Sequence, residues 1–146
     1  EKGLAKAAKK ADRIAAEGIC DTNVSADNQF ASIVEVNSET DFVAKNEAFQ
    51  EFVSECADIV INANPADVDA LLNTVSKDGK NTVAEVLREK ILVIGENIKI
   101  RRFARIEKKD SEVFGTYIHM GGKIAVLTVV DSVLRSSCEA FVSKVL

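Results

Sequence analysis

The chain has 146 residues, of which 47% are apolar and 29% are charged, and its formal net charge is −4. This composition is typical of one globular domain or two small subdomains, and it excludes a largely disordered protein. The acidic balance argues against a protein that mainly coats nucleic acid, and no apolar run approaches the ~20 residues of a membrane-spanning helix. A single histidine excludes most His-based metal and triad chemistry, so we expect no catalysis, no metal and no other cofactor.

The first segment of the chain predicts a helix followed by a β-hairpin. Apolar residues recur at helical spacing across residues 4–16, and Gly18 is placed to end that helix. Strand-forming residues at 19–24 and 30–37 flank a polar turn, which is typical of two antiparallel strands.

Helices are predicted to follow the hairpin. Apolar residues at helical spacing predict a helix over about 46–62, with Asn46 as its N-cap. Pro65 interrupts that pattern, because proline disfavours a helical conformation in the residue before it. A short helix is expected at 67–72 and a turn at 77–80.

A further helix and a strand complete the first half of the predicted fold. Thr82 and Glu85 have the spacing of a capping box, which predicts a helix that begins there and ends at Gly95. The apolar pattern then alternates with period two over 97–107, which predicts a strand that completes a three-stranded sheet with the hairpin. One face of this strand is predicted to carry Ile98, Ile100, Ala104 and Ile106, and the other Lys99, Arg101, Phe103 and Arg105.

The last part of the chain repeats the order of hairpin and helix. Segments 113–120 and 124–130 predict strands joined by a Gly-Gly turn, and Ser136 with Glu139 predicts a final helix. The apolar stripe of that helix is expected to consist of Cys138, Phe141, Val142 and Val145. Because an isolated hairpin is marginally stable, we expect the closing strand of this unit to lie outside the sequence.

Together these elements predict an α+β fold with two related subdomains, each a small antiparallel sheet packed with helices. Residues 1–110 are expected to form the first subdomain, and residues 111–146 an incomplete second one. Because the sequence starts without methionine and stops inside a predicted helix, we expect it to be a fragment of a longer protein.

Two polar features near the second hairpin have structural explanations. Gly121, Gly122 and Lys123 could form a phosphate-binding loop, but they join two strands and no Ser or Thr follows the lysine. A hairpin turn is therefore favoured, and direct nucleotide binding is not expected. His119 has no cysteine or carboxylate neighbour in the sequence, so it is interpreted as a surface or interface residue rather than a catalytic base.

The three cysteines indicate a reducing compartment. Cys20, Cys56 and Cys138 are far apart and odd in number, so buried core positions are favoured over disulfides. A cysteine-dependent enzyme is a further alternative, and it predicts that alkylation abolishes turnover.

Charge is unevenly distributed along the chain. Residues 20–75 are acidic, whereas residues 99–109 hold six basic residues and one acidic residue. A small RNA-binding module that uses this basic strand is therefore the alternative function. Phe103 is the one aromatic residue within it, and a base-stacking surface usually needs several, so a solvated sheet face is favoured.

The most informative segment is residues 34–46, which read VEVNSETDFVAKN and run from the end of a strand into the start of a helix. This segment closely resembles the signature of the elongation factor Ts family, the guanine-nucleotide exchange factors for elongation factor Tu. The resemblance covers essentially the whole chain with the elements in order. Further matches are RIAAEG at 13–18, IGENI at 94–98 followed by Arg101 and Arg102, and residues 117–130.

The resemblance implies a function without bond chemistry. In the family, one short element docks on the nucleotide-binding domain of elongation factor Tu, and it is matched here by Thr40, Asp41, Phe42 and Val43. The Phe42 ring would wedge between two partner helices. Asp41 would help to disturb the region that holds Mg²⁺, so that GDP leaves and GTP follows. His119 matches a family histidine that faces another domain of the partner, and it is a weaker candidate contact.

Periodicity alone gives a competing interpretation of Phe42. It lies seven residues before Phe49, and two helical turns would place both rings on one buried face. The resemblance instead implies that Phe42 is exposed, with Asn46 capping a helix that starts after it.

The resemblance also implies parts that this sequence lacks. These are an N-terminal helical domain that also binds the partner, a coiled-coil insertion and the rest of the second subdomain. No contact with a membrane or with nucleic acid is expected. The expected location is the cytoplasm, or an organelle matrix if a transit peptide preceded the sequence.

Overall fold

Two antiparallel hairpins each gain a third strand. The computed structural model describes residues 5, 7–131 and, for the backbone, 138–144. The first sheet has the order β1-β2-β3 and the second the order β4-β5-β6. The strands are β1 (Glu17–Val24), β2 (Phe30–Ser38), β3 (Ile98–Glu107), β4 (Glu112–His119), β5 (Ile124–Asp131) and β6 (Cys138–Lys144). The predicted α+β class and both predicted hairpins are confirmed.

Three of the predicted helices are confirmed, and one additional helical turn, α1 (Asp41–Ala44), precedes them. The confirmed helices are α2 (Glu47–Ala63), α3 (Val68–Leu72) and α4 (Val83–Ile94). The Asn46 side chain caps α2 by accepting a hydrogen bond from the backbone N–H of Phe49. Thr82 and Glu85 form the predicted capping box of α4, and Gly95 ends that helix in the left-handed conformation at φ 88°. No helix in the described residues is long and apolar enough to cross a membrane.

The main core lies between the helices and one face of the first sheet. Its fully buried members include Phe49 and Val53 from α2, Val34 and Val36 from β2, and Ile98 from β3. This packing follows from period two in β2 and the 3.6-residue period in α2, which bring the apolar stripes of the two elements together.

A second, smaller core joins the two sheets. The other face of the first sheet supplies Cys20, Ala31 and Ile33, and β5 supplies Ala125 and Leu127. The first sheet is therefore a middle layer between the helices and the second sheet. The division of the chain into subdomains near residue 110 stays a prediction.

A β-bulge changes the predicted faces of β3. Its register with β2 shifts between Glu35 and Val36, which pair with Arg102 and Ile100 and leave Arg101 as an extra residue. The extra residue reverses the alternation, so the prediction that Ile98 and Ile100 share a face with Ala104 and Ile106 was wrong. Ile98 and Ile100 face the helices together with Phe103, whereas Ala104 and Ile106 face the second sheet.

The N-terminal helix prediction was also wrong in its extent. Of the described residues in that segment, helical backbone is found at 5 and 7–8, turns follow at 9–12, and β1 starts at Glu17. Leu4, which that prediction included, lies outside the described residues. Gly18 does not end a helix but lies inside β1 at φ 130°, where an added Cβ would lie 2.1 Å from the carbonyl oxygen of Val36.

The final predicted helix is a strand. Residues Cys138–Lys144 form β6 and pair with β5, so the second sheet gains its third strand from within the chain and that expectation is corrected as well. Pairing with the exposed edge of β5 overrides the local helical pattern, because an unpaired strand edge leaves backbone groups without partners. Ser136 and Val145, which the helix prediction used, lie outside the described residues.

Candidate functional site

The segment that follows β2 forms a single helical turn with one side chain directed outward. Thr40 is the N-cap residue of α1 in an extended conformation, and the turn ends at Ala44. Val43 and Ala44 are 7% and 3% exposed and belong to the main core. Phe42, on the opposite side of the same turn, is 83% exposed. The inward side chains therefore anchor α1 while the phenyl ring of Phe42 projects into solvent.

The interpretation of Phe42 as a core residue is not supported. A seven-residue spacing places two side chains on one face only along a continuous helix. Here α1 ends at Ala44 and Asn46 starts a new helix, so Phe49 is fully buried while Phe42 is exposed.

The two carboxylate oxygens of Asp41 differ in their surroundings. Its Oδ2 accepts a hydrogen bond from the ammonium of Lys45 at 3.1 Å, one helical turn later. Its Oδ1 is buried and has no hydrogen-bond partner within the part of the chain that the structure describes. A buried acceptor without a partner costs about 1–3 kcal/mol.

Glutamates 39 and 96 cross-connect α1 to the loop after α4. The Glu96 carboxylate accepts hydrogen bonds from the backbone N–H of Thr40 at 3.0 Å and from its hydroxyl at 2.6 Å. The Glu39 carboxylate accepts one from the backbone N–H of Asn97 at 2.6 Å. The sequence does not predict this contact, because the two residues lie 56 positions apart and neither segment carries a local signal for the other.

His119 lies on the second sheet rather than beside α1. It is the last residue of β4 and it is exposed. Its Nδ1 lies 3.1 Å from the Tyr117 hydroxyl, and the two rings stack with centroids 5.8 Å apart. The structure therefore places His119 next to an exposed aromatic ring, as expected for a surface or interface residue.

A family model described as Elongation factor TS matches residues 39–143. This match covers most of the chain, including α1, Glu96 and His119. The chain belongs to the elongation factor Ts family. Family membership supports a role as an elongation factor in translation and as an exchange factor.

In this elongation factor Ts chain, arginines of the basic strand have partners within the fold. Arg102 donates from Nε to the buried Glu35 carboxylate at 2.6 Å, and Arg101 Nε lies 3.7 Å from the same group. The Arg105 guanidinium lies 3.9 Å from the centroid of the Phe30 ring, and its Nε also donates to a backbone carbonyl of α2. These contacts give the three arginines structural roles within the fold.

Two of the three cysteines are buried thiols, as predicted. Cys20 is 1% exposed and Cys56 is fully buried. Burial raises the pKa of the Cys56 thiol, which disfavours the nucleophilic thiolate. The side chain of Cys138 lies outside the described part of the structure. Residues 7–131 contain no group of three or more His, Cys, Asp or Glu side chains that could hold a metal ion.

Proposed function

We propose that this protein binds elongation factor Tu in its GDP-bound form and promotes the release of GDP, so that GTP can take its place. The protein performs no bond chemistry itself and binds no nucleotide directly. The observation that carries the proposal is the 83% exposure of Phe42 on a turn whose next two residues are buried. An exposed, anchored aromatic side chain suits insertion between elements of a partner.

The exposed ring is a source of binding free energy. At 83% exposure, roughly 165 Å² of the ~200 Å² of a phenylalanine side chain lies in water. Burial of that area against a partner contributes about 4 kcal/mol at ~25 cal/mol per Å², or about a thousandfold in affinity. This is an upper bound, because part of it offsets the entropy lost on association.

The other three residues of the element at 40–43 have two proposed roles: one contacts the partner, and two hold Phe42 in place. The Asp41 carboxyl side chain is 47% exposed next to Phe42. Because carboxylate oxygens are ligands that Mg²⁺ prefers, this exposure supports its proposed role in disturbing the Mg²⁺ region of the partner. Loss of Mg²⁺ weakens the grip on the diphosphate. Val43 is buried in the chain's own core and Thr40 is bound by Glu96, so we propose that both hold Phe42 in place.

The mechanism is a negative coupling between two ligands of one protein. If the exchange factor weakens GDP binding to elongation factor Tu, GDP must weaken binding of the exchange factor by the same factor. Each ~1.4 kcal/mol of this coupling changes affinity tenfold.

The second sheet supplies a further proposed contact. His119, exposed beside Tyr117, would face another domain of elongation factor Tu. In this arrangement residues 1–110 and 111–146 act as two subdomains that contact different domains of the partner. We place the protein in the cytoplasm, or in an organelle matrix if a transit peptide precedes the sequence.

The test follows a fluorescent GDP analogue as it leaves elongation factor Tu. The full-length protein is expected to accelerate release, and Phe42→Ala to remove most of the acceleration. The matched control is Val75→Ala, which also truncates an exposed apolar side chain, here 56% exposed. Val75 lies near the start of α4, whereas the Glu96 contact lies beyond its end, about 18 Å away along the helix. Equal rates for wild type and Phe42→Ala would exclude the proposed role of the ring.

A further inference from the structure

The segments before α1 and after α4 exchange hydrogen bonds reciprocally. The carboxylate of Glu96 accepts hydrogen bonds from the backbone N–H and the hydroxyl of Thr40. The carboxylate of Glu39 accepts one from the backbone N–H of Asn97. Each segment therefore supplies a charged acceptor to the backbone of the other. Hydrogen bonds to a charged acceptor are stronger than those between neutral groups.

The N-terminal segment reinforces the same junction. A guanidinium nitrogen of Arg13 lies 3.5 Å from Glu39 Oε1. The side-chain amide of Asn97, which is 2% exposed, donates to the backbone carbonyls of Ala11 and Arg13 at 3.3 and 2.7 Å. The loop after α4 is thus held on two sides, and its Glu96 carboxylate is a fixed acceptor rather than a mobile surface group.

The start of α1 depends on this acceptor. A helix of four residues is far below the length at which a helix is stable alone, so its orientation must come from outside contacts. The Thr40 side chain makes no capping bond to α1 within the described residues, and its hydroxyl donates to Glu96 instead. At the other end, the Gln50 side-chain amide donates to the carbonyl of Ala44 at 3.1 Å. Phe42 lies between these two attachments.

We propose that Glu96 is a positioning residue, which holds the start of α1 so that Phe42 projects in its binding orientation before the partner arrives. This inference rests on the proposed function, since it concerns the same contact with the nucleotide-binding partner. When Glu96 is lost, α1 samples other orientations, and only a fraction of molecules presents the ring correctly. The apparent affinity for the partner falls by that fraction, while the maximal exchange rate at saturation is preserved.

The first readout is the concentration dependence of GDP release. Glu96→Ala in the full-length protein is expected to raise the half-saturating concentration by about tenfold or more, because two hydrogen bonds to a charged acceptor are lost. Glu96→Gln keeps an acceptor oxygen and is expected to recover most of that loss. Glu89→Ala and Glu89→Gln are the matched controls, since Glu89 is an exposed glutamate on α4, the helix that precedes the Glu96 loop, and both are expected to match wild type.

The second readout reports the ring position directly. This sequence contains no tryptophan, so Phe42→Trp introduces one tryptophan at the site, which can be excited without exciting Tyr117. Its steady-state anisotropy in the free protein is expected to fall with Glu96→Ala, to stay near the parent value with Glu96→Gln, and to be unchanged by Glu89→Ala. If Glu96 contributed only to stability, Glu96→Ala would lower the urea midpoint, but the anisotropy would not differ among Glu96→Ala, Glu96→Gln and Glu89→Ala in this way.

The outcomes separate this inference from the proposed function. Loss of exchange in Phe42→Ala, together with normal half-saturation and anisotropy in Glu96→Ala, would overturn the positioning role alone. Equal exchange by wild type and Phe42→Ala would overturn the proposed function. If Glu96→Ala fails to fold, Glu96→Asp decides, because it keeps the charge but shortens the side chain by one methylene and withdraws the acceptor from Thr40. A raised half-saturating concentration at an unchanged maximal rate supports positioning, and wild-type behaviour of Glu96→Asp in both readouts overturns it.

Discussion

Two phenylalanines seven residues apart have opposite environments, and their stability effects are expected to differ accordingly. Phe42 is 83% exposed and Phe49 is fully buried. About one sixth of the ~200 Å² side chain of Phe42 is buried, so truncation to alanine removes roughly 35 Å² of contact. At ~25 cal/mol per Å² this costs about 0.9 kcal/mol of unfolding free energy. Phe49→Ala removes the whole buried ring and leaves a cavity, which costs about 3–5 kcal/mol.

The assay is urea unfolding of both variants beside wild type, followed by circular dichroism. The midpoint is expected to fall slightly for Phe42→Ala and strongly for Phe49→Ala, with similar slopes in all three curves. Equal destabilisation by the two substitutions would mean that Phe42 is a core residue. In that case, any loss of exchange in Phe42→Ala would reflect unfolding rather than a lost contact.

Three further predictions concern stability and thiol access. Gly18→Ala places a Cβ 2.1 Å from a carbonyl oxygen of β2, at a residue with positive φ. We therefore expect the free energy of unfolding in urea to fall by at least ~2 kcal/mol. No measurable fall would contradict this strand geometry. Burial is the largest cause that raises the pKa of Asp21; a neighbouring carboxylate adds to it, and hydrogen bonds oppose it in part. The folded protein therefore binds the Asp21 proton more tightly than the unfolded chain does. As a result, the free energy of unfolding falls as the pH rises through the raised pKa. Asp21→Asn is therefore expected to stabilise the protein at pH 7, with the difference vanishing below the ordinary aspartate pKa; a difference that grows at low pH would reverse the sign. In a Cys138→Ser variant the two remaining thiols, both buried, are expected to react with Ellman's reagent only on unfolding, and rapid reaction of the Cys56 thiol in the native state would contradict its burial.

The elements that sequence analysis predicted correctly carry their signals locally. Asn46 lies three residues before the N–H that it caps, and Thr82 lies three residues before Glu85. The hairpins are joined by short turns whose residue types are diagnostic. Such features depend on a few neighbouring residues, so a single sequence is sufficient to predict them.

The features that it missed depend on distant pairing. The bulge at Arg101 arises from the register between β3 and β2, and it changed which apolar residues of β3 face the helices. Residues 138–144 have an apolar spacing that suits a helix, yet pairing with β5 makes them a strand. Neither register nor strand order is encoded in a local period.

The candidate site also combines features that the local sequence predicts with features that depend on distant contacts. The segment 34–46 was recognised from its residues, but periodicity placed Phe42 in the core with Phe49. Its exposure follows from the break between α1 and α2, where Asn46 starts a new helix. The contact between Thr40 and Glu96 spans 56 residues and could be found only from the folded chain.

The most direct test of the central claim is the affinity of the full-length protein for elongation factor Tu, measured with the partner free of nucleotide and with the partner saturated with GDP and Mg²⁺. Wild type and Val75→Ala are expected to bind the nucleotide-free form at least about tenfold more tightly. Phe42→Ala is expected to bring that ratio close to one, because the ring is proposed to oppose the nucleotide-bound conformation. A ratio in Phe42→Ala equal to that of wild type, or equal affinities of wild type for both forms, would contradict the account.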